Sequence, residues 1–344
     1  MVKAKHQAIP DPSASLCGSA PVPESLEPNY LGIDLGGTTT TLGLVGCRGQ
    51  VLAWEAFATR AGRGPEATVE EIVQRAGRLA DREGIEWARI AAAGIGSPGP
   101  LDLKEGKIIK TPHLKWSDVP LRSMLEQRLS KRVVLEGDAI AATYGEWWVG
   151  AAQPYHDVVG LTLGTGVGGG IILNDRIQHG FRGLAGHIGH MVIQDQGRLC
   201  GCGNQGCLES LASATAIADR TRLGLAQPND SILAQYDGEL DSRQVFEAAR
   251  QGDALALSIF EETSYFLAVA INNLFNILNP QAVVLMGAVA NAQELLIQPI
   301  RRHLKEMAFP GIAEASAVLL GKLGELAGAI GAAGCARSEA DSAS

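Results

Sequence analysis

One device occurs twice in this chain. Residues 31–45 read LGIDLGGTTTTLGLV and residues 159–173 read VGLTLGTGVGGGIIL. Each is an apolar strand, a Gly/Thr turn and a second apolar strand, the pattern of a β-hairpin with a glycine-rich tip. Aligning the two copies sets Asp34 against Thr162 and Gly36 against Gly164. A hairpin repeated once, far along the chain, points to two related α/β halves, not to a solenoid of short repeats. The length of 344 residues fits about two domains. An apolar content of 46% with few aromatics and 42 glycines suits an α/β chain with many tight turns.

Between and after the hairpins the pattern alternates. Helices are expected at Glu66–Glu83, Val119–Ser130, Asp138–Val149, Asp253–Leu278 with Asp253 as N-cap, Ala292–Met307 and Glu325–Ala336. Strands are expected at Arg89–Ile95, Val133–Glu136, Ala282–Met286 and Ala317–Leu320. Such alternation predicts largely parallel sheets covered by helices. Residues 1–29 are rich in Pro, Ser and Ala and lack the apolar core of a signal peptide, so they read as a disordered tail; residues 337–344 read as a frayed end. No stretch reads as a membrane-spanning run of about 18 apolar residues. A net charge of −8 argues against nucleic acid or an anionic membrane as the main partner.

Two segments carry chemistry. The hairpin tips suit phosphate: glycines let backbone N–H groups approach an anion closely, and threonine hydroxyls add donors. Two tips facing across a cleft would grip a polyphosphate from both sides, and Asp34 is a carboxylate suited to Mg²⁺. The second segment is a metal knot. His190, Cys200, Cys202 and Cys207 are spaced H-x9-C-x-C-x4-C, with glycines at 197, 201, 203 and 206. One imidazole and three thiolates complete a tetrahedral Zn²⁺ shell and leave no open position, so the metal would be structural. The other three cysteines, Cys17, Cys47 and Cys335, are scattered and suggest no disulfide framework, consistent with a reducing cytoplasm.

The order of the segments DLGGTTTT, GSPGPLD, EGDAIAA, GTGVGGGII, AGHIGHM, CGCGNQGCLE and LGELAGAIGAA resembles the ROK family (repressors, open reading frames, kinases), over roughly residues 30–335. The resemblance implies an α/β, actin-like/hexokinase-type fold of two domains, with a sugar and ATP in the cleft between them, and a homodimer. It divides the chain into a tail at 1–29, an N-terminal domain at 30–135 completed by a helix at 325–336, and a C-terminal domain at 136–324. Repressors of the family carry a helix-turn-helix module ahead of the sugar domain, and the Pro-rich 29 residues here have no room for one, which favours the kinase branch.

By the same resemblance Asp138 is the catalytic base that takes the proton of the sugar 6-hydroxyl. At a helix start it is expected to stay ionised. Asp34 would reach Mg²⁺; Gly36, Gly37, Thr38 and Thr39 from one half, and Gly164, Thr165 and Gly166 from the other, would hold phosphate; Gly287 would lie near adenosine. Gly99, His113, Gly137, His187, His190 and Glu209 would face the sugar, with His190 shared between zinc and substrate. Three positions depart from the glucokinase-like pattern. His187 stands where Glu is common in AGExGH, Gly137 where Asn usually precedes the base, and His113 where Asn is common. AGHxGH is similar to the motif of bacterial N-acetylmannosamine kinases of the family. The reading is therefore an ATP-dependent hexose 6-kinase with glucose as default substrate. The alternatives are another sugar, N-acetylmannosamine first, or a sugar-binding regulator with little turnover.

Overall fold

The computed structural model describes residues 27–342 except Asp237. The N-terminal lobe opens with β1 (Asn29–Leu35), β2 (Thr39–Gly46) and β3 (Val51–Ala58), followed by α1 (Pro65–Arg82) and β4 (Ile90–Ser97). A small sheet of β5 (Leu101–Asp102), β6 (Lys107–Thr111) and β7 (Trp116–Val119) comes next, then α2 (Leu121–Leu129) and β8 (Arg132–Gly137). The second lobe contains α3 (Asp138–Trp148), β9 (Val158–Leu163), β10 (Val167–Leu173), β11 (Arg176–Ile177), α4 (Leu208–Ala212), α5 (Ala214–Leu225) and α6 (Ser242–Arg250). It continues with α7 (Ala254–Leu278), β12 (Ala282–Met286), α8 (Glu294–Met307), α9 (Ile312–Ala315) and β13 (Ala317–Leu320), and the chain ends in α10 (Ala327–Ser342).

The duplication read from the two hairpins extends to whole sheets. One sheet has the order β3-β2-β1-β4-β8 and the other β11-β10-β9-β12-β13. In both, the first three strands are antiparallel and the last two run parallel to the centre strand. The sheets are thus mixed and not largely parallel, because each tight hairpin forces an antiparallel pair. Centre-strand residues Leu31, Ile33, Leu35, Val159, Leu161 and Leu163 are fully buried. Each such side chain contributes about 2 kcal/mol from desolvation alone.

Glycine does more here than turn corners. An added Cβ at Gly32 or Gly94 would lie 1.8 Å from a carbonyl oxygen of α10, and one at Gly160 or Gly170 would strike Thr143 of α3. These glycines let α10 lie flat on the first sheet and α3 on the second. The two helices also meet each other closely: a Cβ on Gly331 would lie 1.6 Å from the Ala141 carbonyl oxygen. The α3–α10 pair is therefore the hub on which both sheets rest.

The ordered chain is longer than the motifs suggested at both ends. Glu27 is buried, and its carboxylate accepts hydrogen bonds from Arg48 and the Cys47 thiol. At the other end α10 runs on past residue 336; Arg337 is only 7% exposed, donates to the Cys47 carbonyl and lies over Trp148. The expected frayed end is thus helix to Ser342, while the rest of the expected N-terminal tail lies outside the described residues. The helix expected from Val119 begins at Leu121, because Val119 closes β7. Helix α7 is long and apolar enough to cross a membrane, contrary to the sequence reading. Its Phe260, Leu267, Ile271 and Phe275 are instead packed into the core of the second lobe.

Candidate active site

The end of β8 and the start of α3 meet at the floor of a cavity of about 650 Å³ between the lobes. Asp138 is the first residue of α3 and faces this cavity, with one carboxylate oxygen accepting the Ala139 N–H at 2.7 Å. The helix N-terminus was expected to hold its pKa down. Burial wins instead and pushes it up, against smaller downward pulls from the Ala139 amide, His113 and His187. The outcome suits a base, since a raised pKa strengthens the drive to accept a proton.

Both hairpin tips reach the same cavity. Gly36 and Gly37 line one side, and Gly164, Thr165, Gly166 and Gly287 the other. Neither tip is a bare turn. Thr59 braces the first: its hydroxyl donates to the Gly36 carbonyl, and its amide to Thr38. The second rests on α5, whose Ala214 N–H and Thr215 hydroxyl donate to the carbonyls of Gly164 and Thr165. Thr38 and Thr39 are exposed and do not line the cavity.

Asp34 also lies off the cavity wall, beneath its tip, with Oδ2 only 2.4 Å from where a Cβ on Gly328 of α10 would sit. Burial, and then the charge of Asp138, raise its pKa from 3.8 to about 7. The sign of the resulting pH dependence follows. Below pH 3.8 both folded and unfolded chains keep the proton. Between 3.8 and about 7 only the unfolded chain ionises, so stability falls as pH rises; above about 7 the full penalty applies. A shift of this size corresponds to roughly 4 kcal/mol. In Mg²⁺-free buffer Asp34→Asn should raise the melting temperature at pH 8 and lose that advantage near pH 4. An equal change at both pH values would refute the buried-carboxylate account.

The cysteine loop closes as its spacing implied. The ligand atoms of His190, Cys200, Cys202 and Cys207 all lie within 4.8 Å of one another. Cys200 Sγ is 3.7 Å from His190 Nδ1, and Cys202 Sγ is 3.7 Å from Cys207 Sγ. A tetrahedral ion with Zn–S bonds of about 2.3 Å places its sulfurs about 3.8 Å apart, so the donor set fits zinc without rearrangement. The chemistry agrees. With no cation counted, burial and the neighbouring thiols push Cys207 up to about 12, and a divalent ion is what lets three adjacent thiols ionise. Gly206 permits the wrap, since its φ is +74° and a Cβ would lie 1.7 Å from the Gln194 carbonyl oxygen.

With Nδ1 directed at the sulfurs, His190 Nε2 is the free nitrogen of a ring that forms part of the cavity wall. Glu209, in the first turn of α4, accepts the Val167 N–H at 2.9 Å, and its other oxygen lies 3.7 Å from Cys200 Sγ. It therefore couples the cysteine loop to the second tip. Gly99, His113, Gly137 and His187 also line the cavity. His113 arrives on the β6–β7 turn and touches Gly37 of the first tip. Burial lowers the pKa of His187, with the nearby His190 adding to the effect. Sequence reasoning missed Glu136, which lines the cavity, and the His179 behind it that contacts its carboxylate. The Glu of EGDAIAA was in plain view as a signal for the first; nothing local marks the second.

A cleft with two braced glycine tips and a half-buried carboxylate at its floor defines a phosphotransferase of the two-lobed kind. The chain belongs to the ROK family, whose model matches residues 30–339. It is 38% identical over 307 residues to a glucokinase of Halalkalibacterium halodurans, covering 88% of this chain and 93% of that one. Among solved structures it resembles a ROK glucokinase of Streptomyces griseus in complex with glucose and AMPPNP, with a TM-score of 0.78, 34% identity and coverage of 90% and 99%. It also resembles a ROK hexokinase of Thermus thermophilus, with a TM-score of 0.77, 32% identity and coverage of 91% and 99%.

Proposed function

We propose that this ATP-dependent sugar kinase phosphorylates glucose at its 6-hydroxyl with Asp138 as the base. The observation that carries the reading is the position of Asp138, on the cavity floor between the two tips. The sugar hydroxyl gives its proton to the Asp138 carboxylate as its oxygen bonds the γ-phosphorus, and the bond to the leaving ADP breaks. Backbone N–H groups of Gly36, Gly37, Gly164, Thr165 and Gly166 spread the charge of the transferring group, and Gly287 makes room for the nucleoside. Mg²⁺ supplies further charge neutralisation when bound, with Asp34 as the carboxylate nearest the first tip. Zn²⁺ would fix the tautomer and direction of His190 and so shape the sugar wall from behind. We also read the protein as a cytoplasmic homodimer; exposed apolar side chains of the second lobe, Ile277 and Phe309 among them, support an interface, and sedimentation equilibrium tests it.

Coupled ADP release over a panel of hexoses and N-acetylhexosamines tests the function, and an absence of sugar-dependent ADP release would overturn it. A second reading, N-acetylmannosamine as substrate, is favoured by one observation: His113 and His187 both line the cavity and act on Asp138, where the glucokinase pattern has an amide and a carboxylate. The site has room to restore that pattern, since a Cβ at Gly137 meets only Ile140 at 3.5 Å. The double variant Gly137→Asn/His187→Glu should raise the preference for glucose over N-acetylmannosamine by about tenfold. It should also move the acidic limb of the pH profile upward, because a carboxylate replaces an imidazole that lowers the Asp138 pKa and the base must lose its proton to act. An unchanged sugar preference would remove these positions from specificity.

A further inference from the structure

Resting on the kinase reading, we infer that His179 is a positioning residue that ties the sugar-facing wall of the second lobe to the strand that leads into the catalytic base. After β11 the chain forms a small loop, closed on itself by the Ala185 N–H donating to the His179 carbonyl at 3.0 Å. Gly180, Gly183 and Gly186 all have positive φ, so the loop folds back tightly. Its tip carries a fully exposed Phe181 and lays Gly183 against Leu103 of the first lobe. Gly183, Leu184, Ala185, Gly186 and His187 then form one wall of the cavity.

The imidazole of His179 crosses the cleft. Its Nε2 lies 2.6 Å from Glu136 Oε2, and the other carboxylate oxygen of Glu136 accepts the Gly137 N–H at 2.8 Å. The Glu136 side chain is only 5% exposed, so this pair is shielded from water on the carboxylate side. The hydrogen bond to Glu136 raises the His179 pKa, as expected of a charge-assisted pair. Glu136 stands two residues before Asp138, and His179 is bonded through its carbonyl to Ala185, two residues before His187. The bridge therefore sets the separation between His187 on one side of the sugar and Asp138 on the other. The phosphate tips do not depend on it, because Thr59 and α5 hold them.

Steady-state kinetics of the full chain with glucose and ATP tests this. His179→Ala should raise KM for glucose about tenfold and leave KM for ATP unchanged. Gln and Asn separate the bridge from general packing: Gln carries its amide nitrogen where His carries Nε2, and Asn where His carries Nδ1. His179→Gln should keep KM for glucose within about threefold of the parent, while His179→Asn should behave like His179→Ala. The proposal fails if KM for glucose is unmoved in His179→Ala, if KM for ATP rises in parallel, or if Gln and Asn have the same effect. Turnover of glucose by the unaltered chain is the separate control for the kinase reading, and glucose affinity by calorimetry reads the bridge in the same variants independently of turnover.

Discussion

Asp138→Asn lowers kcat for sugar phosphorylation by about 10³-fold and leaves sugar binding nearly intact. The expectation rests on two features of the site. General bases contribute about 10²- to 10⁴-fold, and the carboxylate at this position is made more basic by burial. The amide keeps the shape of the side chain and one oxygen to accept the Ala139 N–H, so the local contact at the start of α3 is retained. What disappears is the acceptor for the proton. A second consequence follows from the Asp34–Asp138 coupling. Asp138 is one of the two causes raising the Asp34 pKa, so the variant lets Asp34 ionise at lower pH. Calorimetric sugar binding with single-turnover kinetics checks the first point, and a shifted pH dependence of stability checks the second. Activity within tenfold of the parent would transfer the base role away from Asp138.

Removal of the metal has the other large effect. Purified protein should contain one zinc per chain, and Cys207→Ser or exhaustive chelation should abolish at least 99% of the activity and lower the melting temperature. Cys207 is fully buried next to Leu208 at the start of α4, so an unligated thiol cluster disturbs the packing of α4 itself. Two functional elements hang on the same loop: His190 loses the partner that fixes Nδ1, and Glu209 loses the frame from which it holds Val167 beside the second phosphate tip. Sugar affinity and phosphoryl transfer should therefore fail together, unlike the selective sugar effect expected at His179. Metal analysis accompanied by kinetics before and after zinc add-back decides the matter. A metal-free protein with unchanged turnover would remove zinc from the site.

Particular residues show why some of this was legible in the chain and some was not. The hairpins could be read because alternating apolar residues and a Gly/Thr turn act over a few positions, and local sterics alone favour that turn. The metal loop could be read because four ligands fall within 18 residues and need only their own loop to converge. Helix α7 shows the limit of local pattern: by length and apolarity it matches a membrane span, and only its burial against the rest of the second lobe makes it a core helix. Glycines such as Gly32 and Gly94 likewise read as turn formers, whereas their use is to admit α10, more than 200 residues away.

The sequence by itself determined the two matched hairpins, the His/Cys cluster that could hold zinc, the candidate base and the family to which the chain belongs, because each is written in residues close together or in a fixed order. Tertiary structure alone decided the rest. It carried His113 on the β6–β7 turn to the first tip, set His179 against Glu136 across the cleft, and withdrew Asp34 from the wall into a site where its pKa rises to about 7. The physical reason is that proximity between distant segments, and the desolvation that comes with it, are properties of the packed lobes. No residue carries them alone.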